Sequence, residues 1–396
     1  MTIVGAPATR LLTGRTVLFL VAAMSAATSF YLLLTVVPLY ALTWPGAQTA
    51  GVGLATGVLM LTTVAAELAA PRVIARVGRR TTLAISLVLL GLPALILPLS
   101  AQPVIVLSVC GLRGLGFGLA VVIGSAWMAD LAPAARRGEA LGVYGAAMGL
   151  PAIVALPLAV WLVDHIGFGP VFVSGAVTAL VGLIPLLGLP PGYPAAGPAP
   201  LRVLRGLRSG ALVRPAVVFA STASAAGILV TFLPVATAQT TVVAPALLAQ
   251  AVTATFGRWW AGRHERRGGG RLLAAGALTA AAGMVGFVFV DQPVAVVAGA
   301  ALFGLGFGVT QNASVSLMFR SVPDSSHDTA SAVWNIAYDA GMGMGAAAFG
   351  LLVGVTGFPV GFVVAAALIP LALAILPNVR SAAAQLLRRS ARAISQ

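Results

Sequence analysis

The stretch QPVIVLSVCGLRGLGFG, residues 102–118, occurs again 190 positions downstream as QPVAVVAGAALFGLGFG, residues 292–308, with ten of 17 positions identical. The same spacing places Arg76 and Gly78 on Arg266 and Gly268, and Pro133 on Pro323. One gap-free register therefore joins loops and the apolar segments between them, the mark of a duplicated unit inserted the same way round. The glycines at 114, 116 and 118 admit two readings, a loop cradling phosphate or a helix thinned for a close neighbour. A dinucleotide fingerprint follows a strand and opens a helix in a soluble βαβ unit. Here the glycines lie inside an apolar run, so they are read as thinning a helix. Arg113 beside them has Phe303 as its counterpart, so its charge belongs to one copy only.

Working outward, the 396 residues are 59% hydrophobic and 8% charged, against about 25% charged in soluble domains. This is the composition of an all-α membrane protein. Apolar segments fall at 16–42, 50–70, 81–101, 103–129, 139–163, 169–189, 212–233, 239–261, 271–290, 293–319, 329–354 and 359–377. Each approaches the roughly 20 residues that a spanning helix needs, so twelve transmembrane helices are expected. None alternates apolar and polar residues as barrel strands do. The first segment is too long for the roughly 7–15-residue apolar region of a signal peptide and is read as a retained helix.

The net charge of +14 would point to nucleic acid in a soluble protein, but its distribution argues otherwise. All 23 basic residues are arginines, and apart from Arg113 they gather between the apolar segments or at their ends. With the N-terminus inside, the clusters Arg72/Arg76/Arg79/Arg80, Arg136/Arg137, Arg202/Arg205/Arg208/Arg214, Arg258/Arg263/Arg266/Arg267/Arg271, Arg320 and Arg380/Arg388/Arg389/Arg392 all fall on the cytoplasmic side. The outer loops carry no arginine, as the positive-inside rule requires. Both termini are therefore expected in the cytoplasm, with the chain in the cytoplasmic membrane. The Pro/Gly-rich, then basic stretch 190–211 is read as a linker between a six-helix half, residues 1–189, and a second half with a basic tail, residues 212–396. Cys110, the single cysteine, excludes an internal disulfide.

Two parallel six-helix units with a basic loop after the second span resemble the major facilitator superfamily of secondary transporters. That family's loop signature runs Gly-x-x-x-Asp-Arg-x-Gly-Arg-Arg. The first copy here is PRVIARVGRR, residues 71–80, which keeps Arg76, Gly78, Arg79 and Arg80 but has Pro71 and Ala75 for the glycine and the acid. The second, AGRHERRGGG at 261–270, keeps Glu265, Arg266 and Gly268. The fourth and fifth spans further resemble the bacterial efflux branch, with Gly145, Gly149, Pro151 and Pro157 present and Leu156 where a glycine is usual. The resemblance implies alternating access, a cavity lined by spans one, four, seven and ten, and gating by the two basic loops.

Ionisable groups at bilayer depth cost about 2.5–3.5 kcal/mol on insertion scales, so each is a functional candidate. Arg113 and Asp339 lie near mid-depth. They are read as a proton-coupling pair facing a central cavity, with Asp339 alternating between protonated and ionised forms. The alternative for each is a static polar contact between helices. Glu67, four residues before Pro71, is read either as a gating latch against the basic loop or as an interface anchor. Tyr31, Gln311, Asn312 and Asn335 are candidate substrate contacts, with interhelical hydrogen bonding as the other reading of such groups. Asp130, Glu139, Asp324 and Asp328 read as helix-end caps.

His165, His264 and His327 lie in separate loops without metal-ligand spacing. No GxxxxGK[ST] loop is present and no nucleophile, base and acid come together, so neither a cofactor nor an enzymatic activity is expected. The expected function is secondary active transport of a small organic compound by a monomer in the lipid bilayer, as proton-driven export. An importer or facilitator of the same fold, or a membrane receptor or scaffold that does not transport, are the alternatives. Nucleic acid is not an expected partner.

Overall fold

A computed structural model describes residues 12–44, 48–131, 136–190, 206, 208–237, 239–264, 269–323 and 326–374. Among the described residues, twelve helices stand where the apolar segments fall: α1 (Gly14–Tyr40), α2 (Thr49–Val77), α3 (Arg79–Gly91), α4 (Pro103–Leu131), α5 (Arg137–Ile166), α6 (Phe168–Val181), α7 (Gly210–Ala236), α8 (Thr240–His264), α9 (Gly269–Val285), α10 (Pro293–Arg320), α11 (His327–Thr356) and α12 (Phe358–Leu373). A four-residue turn, Leu183–Leu186, extends α6, and a 3₁₀ stretch, Leu92–Leu99, extends α3. Ten of these units are long and apolar enough to cross a membrane. Of the other two, α8 carries Gln250, Arg258 and Arg263, and the described part of α12 has 16 residues. Leu61, Leu99, Val104, Leu187, Val294 and Val355 are exposed on the outside of the bundle, a surface suited to lipid rather than water.

The loop PRVIARVGRR differs from its expected form. Helix α2 runs through Pro71 and Arg76 to Val77, and the turn into α3 is the single residue Gly78, at φ +79°. That conformation strains any residue with a Cβ. Proline inside a membrane helix removes one backbone bond without ending the helix, because neighbours re-satisfy the freed groups. Gly167 and Gly357, the turns into α6 and α12, have φ +80° and +78° and are themselves 190 residues apart.

The pairing of α1–α6 recurs among α7–α12. Helices α2 and α3 flank α4 as α8 and α9 flank α10, and α1 packs on α5 as α7 packs on α11. The repeated glycines make these contacts. A Cβ on Gly116 would lie 2.7 Å from Ser86 O on α3, while Gly114 and Gly118 press on Leu59 O and Thr63 O of α2. Gly306 meets Gly276 O on α9, and Gly304 and Gly308 meet Gln250 O and Ala254 O on α8. The thinned-helix reading of RGLGFG describes both copies.

Between the two sets, α2 packs along α11 and α5 along α8. The α2–α11 seam is built from small residues. Thr49 Oγ1 donates to Gly350 O at 2.8 Å, Gly57 meets Ala347 and Gly343 meets Met60. Beside it the Thr56 and Thr231 hydroxyls are 2.9 Å apart. These contacts close the end of the bundle opposite the arginine-bearing turns.

Candidate functional site

Between the two sets of helices lies a cavity of about 790 Å³, the size of a pocket for a small organic ligand. Its lining begins at Gly142 and Gly262, near the arginine-bearing end, and passes mid-span to Leu34, Leu156 and Val230. The seam of Thr49, Thr56, Thr231 and Gly350 lies beyond it. The cavity is thus sealed at one end and reaches toward the other.

One wall is the small-residue face of α5, where a Cβ on Gly142, Gly145 or Gly149 would meet nothing within 4 Å. The facing wall is polar and aromatic. Tyr31, Gln311 and Asn312, three of the four expected substrate contacts, line it; Asn335 does not. Phe307 and Tyr338 line it as well, and Phe219 and Trp334 stack with them from outside the lining, 4.6 Å apart and 11° from parallel. Trp334 Nε1 donates to Ser314 Oγ at 2.9 Å, which fixes the ring.

Among the described residues of the lining the charged one is Arg258, which sequence reasoning assigned to a basic loop. Helix α8 continues to His264, so Arg258 sits inside the helix and its side chain reaches the cavity. Its Nε donates to Gln311 Oε1 at 2.9 Å and its Nη2 donates to the same oxygen. Tyr31 and Tyr338 each lie within electrostatic range of both Arg258 and Asp339. A signal was available: the position 190 residues earlier is Leu68, so Arg258, like Arg113, is a charge present in one copy only.

Arg113 is buried elsewhere. Its guanidinium donates to Leu90 O of α3 and, at 3.0 Å, to Ser29 O of α1. The Leu90 carbonyl lies where α3 gives way to the 3₁₀ stretch at Leu92 and Pro93, and a proline ring offers no N–H to the carbonyls before it. Arg113 therefore clasps α1, α3 and α4 beside a small void lined by Phe30, Leu33 and Cys110, and it does not line the central cavity.

The group that the structure sets against Asp339 is Glu67. Both are buried and their carboxyl groups lie side by side across the α2–α11 seam. They are within interaction range without a formed hydrogen bond, and neither Glu67 oxygen nor Asp339 Oδ1 bonds any other group. At the basic turn, Arg76 is exposed, and Arg80 Nη1 donates to Leu189 O at 3.1 Å, tying the start of α3 to the chain after α6. Glu265, Arg266 and Gly268 lie outside the described residues, as do most of the 190–211 linker and the basic tail.

The sequence profile of the Major Facilitator Superfamily matches residues 18–346 and, in a second alignment, 235–393. No curated protein matches the chain in sequence. Solved structures share its fold. The xylose transporter XylE from E. coli, partially occluded and inward open, is 15% identical at a TM-score of 0.71, covering 92% of this chain and 96% of its own. A POT family transporter in complex with a thioalcohol-conjugated peptide is 12% identical at 0.74, covering 91% and 95%. A D-xylose-proton symporter is 15% identical at 0.72, covering 90% and 96%.

Proposed function

The chain belongs to the Major Facilitator Superfamily, and from that premise we propose that it carries a small organic compound across the cytoplasmic membrane by alternating access, coupled to protons. The observation that carries this reading is the cavity, sealed by the α2–α11 seam at one end and reaching toward the arginine-bearing end at the other. With the arginines on the cytoplasmic side, this is an inward-facing state. Residues 1–189 and 212–396 are the two halves, joined by 190–211, and they rock about the cavity.

The proton site is Glu67 with Asp339. Two carboxylate charges about 4 Å apart repel by roughly 4 kcal/mol at an effective dielectric of 20, and one proton held between them removes that repulsion. The pair bridges the two halves at the seam that must part when the transporter turns outward. Loading and losing a proton there changes how strongly α2 and α11 hold together. Arg113 serves as a clasp within the first half, while Arg76, Arg79 and Arg80, with Glu265, Arg266 and Gly268, gate the cytoplasmic end.

Export driven by inward proton flow is the first reading of direction. Import with protons is the second, favoured by the likeness to the D-xylose-proton symporter. The test uses proteoliposomes holding a pH-sensitive dye and an imposed pH gradient, with a panel of small organic compounds added on one side. Compound-dependent proton flux that Asp339→Asn and Glu67→Gln each abolish is the expected result. Flux unchanged in both variants refutes the assignment of the pair, and the sign of the flux separates export from import.

A further inference from the structure

Resting on the carrier reading above, we propose that the cavity is built for an organic anion, a carboxylate on an aromatic or aliphatic frame, with Arg258 and Gln311 as its recognition groups. A guanidinium has five N–H donors in a planar fork. In Arg258, Nε and Nη2 both go to one neutral oxygen, Gln311 Oε1, which leaves Nη1 turned to no acceptor. Among the described residues no carboxylate pairs with it; its electrostatic neighbours are Tyr31 and Tyr338, while Asp339 is set against Glu67. A charge held in a protein-lined cavity without a counter-ion is costly, and a ligand carboxylate supplies the partner in bidentate geometry.

Gln311 fixes the second half of the site. With its Oε1 occupied by Arg258, its amide N–H groups are the ones left to face a ligand, so the pair offers donors only. Tyr31 and Tyr338 add hydroxyls within range of the same charge. Gln250, Thr255 and Asn312 also belong to the lining, and most of the remainder is apolar: the open glycine and alanine face of α5, with Phe307 and Ile153. An organic cation finds no carboxylate among the described lining residues and meets Arg258. An apolar body with one acidic head fits both parts.

The test uses matched compounds on phenyl, indole and naphthyl frames, each as the acetate, the acetamide and the ethylamine, against purified full-length protein. Binding is followed by thermal shift and by quenching of tryptophan fluorescence, Trp259 being part of the lining. The acetates are expected to bind about ten- to a hundredfold tighter than the acetamides, the range of charge-assisted hydrogen bonds, and the amines more weakly still. Arg258→Gln should bring acetate and acetamide affinities together, and Arg258→Lys should keep part of the preference. Equal or better binding of amides or amines, no binding by any compound, or full acetate affinity in Arg258→Gln would overturn the proposal. If the acetates bind through Arg258 but are not carried into proteoliposomes, the anion site stands and the carrier reading falls. If only amides or amines are carried, the carrier stands and the anion site falls.

Discussion

Replacing Arg113 separates a structural arginine from one that takes part in coupling. Its two bonds, to the carbonyls of Leu90 and Ser29, are charge-assisted. At about 1.5–3 kcal/mol each they contribute about 3–6 kcal/mol. Holding an arginine at this depth costs about 2.5–3.5 kcal/mol, so the net gain lies between roughly zero and 3 kcal/mol. Arg113→Met removes the bonds and the cost together while filling nearly the same volume, and should lower stability by that net plus the roughly 1–3 kcal/mol of leaving the Leu90 carbonyl without a donor. Arg113→Ala also enlarges the void beside Phe30, Leu33 and Cys110, and large-to-small changes of this kind cost about 2–5 kcal/mol.

Thermal melts in detergent should therefore rank wild type above Arg113→Met, and Arg113→Met above Arg113→Ala. Compound-driven proton flux should persist in the methionine variant once reconstituted. An Arg113→Met variant that melts like wild type but has lost proton coupling would refute the clasp role. That result would return Arg113 to the coupling machinery in spite of its distance from the cavity lining.

Two further predictions concern the glycines and the seam. Gly116→Ala puts a methyl 2.7 Å from Ser86 O and should destabilise by about 1–3 kcal/mol through overpacking, whereas Gly145→Ala, with nothing within 4 Å, should melt like wild type; equal melting of the two refutes the close-approach account. Cysteines at Thr49 and Gly350 in a Cys110→Ala background should cross-link on oxidation and stop transport until reduced, because the seam they lock has to part; transport that continues after cross-linking would show that it does not.

The parts of this molecule legible from sequence are those set by period and composition. Segment length marked the helices, and the constant spacing of 190 located the paired glycines that let α4 and α10 approach their neighbours. Gly78 escaped as a one-residue turn because Pro71 and Arg76 look like a loop until neighbouring helices re-satisfy the backbone around the proline. The pairing of Glu67 with Asp339 had no signal at all. The two lie in different halves, 272 residues apart in the chain, and nothing periodic says which faces of α2 and α11 meet. Arg258 was hidden differently. Lying near Arg263, it read as a topology charge, yet the duplication that singled out Arg113 also singled out Arg258, whose counterpart is Leu68. A charge present in one copy has two physical uses, holding that copy together or facing what the cavity holds. Arg113 touches backbone carbonyls and Arg258 lines the space, and only the packed structure separates them.

An anionic substrate and a proton site at the seam together give each direction of transport its own electrical signature. A monoanion carried inward with one proton moves no net charge. The same anion carried outward against one proton moves two positive charges inward. Each charge is worth about 2.3 kcal/mol per 100 mV, so export at 100 mV gains about 4.6 kcal/mol, roughly a 2,000-fold accumulation ratio, and import gains nothing. A neutral substrate with one proton would instead move a single charge in either direction, worth roughly 50-fold. Proteoliposomes clamped by potassium diffusion potentials, with an arylacetate as the transported compound, distinguish the three. A dependence of zero or two charges fits a proton coupled to an anion bound at Arg258. A dependence of one charge would refute that pairing, because the substrate would then cross uncharged or the anion would cross without its proton.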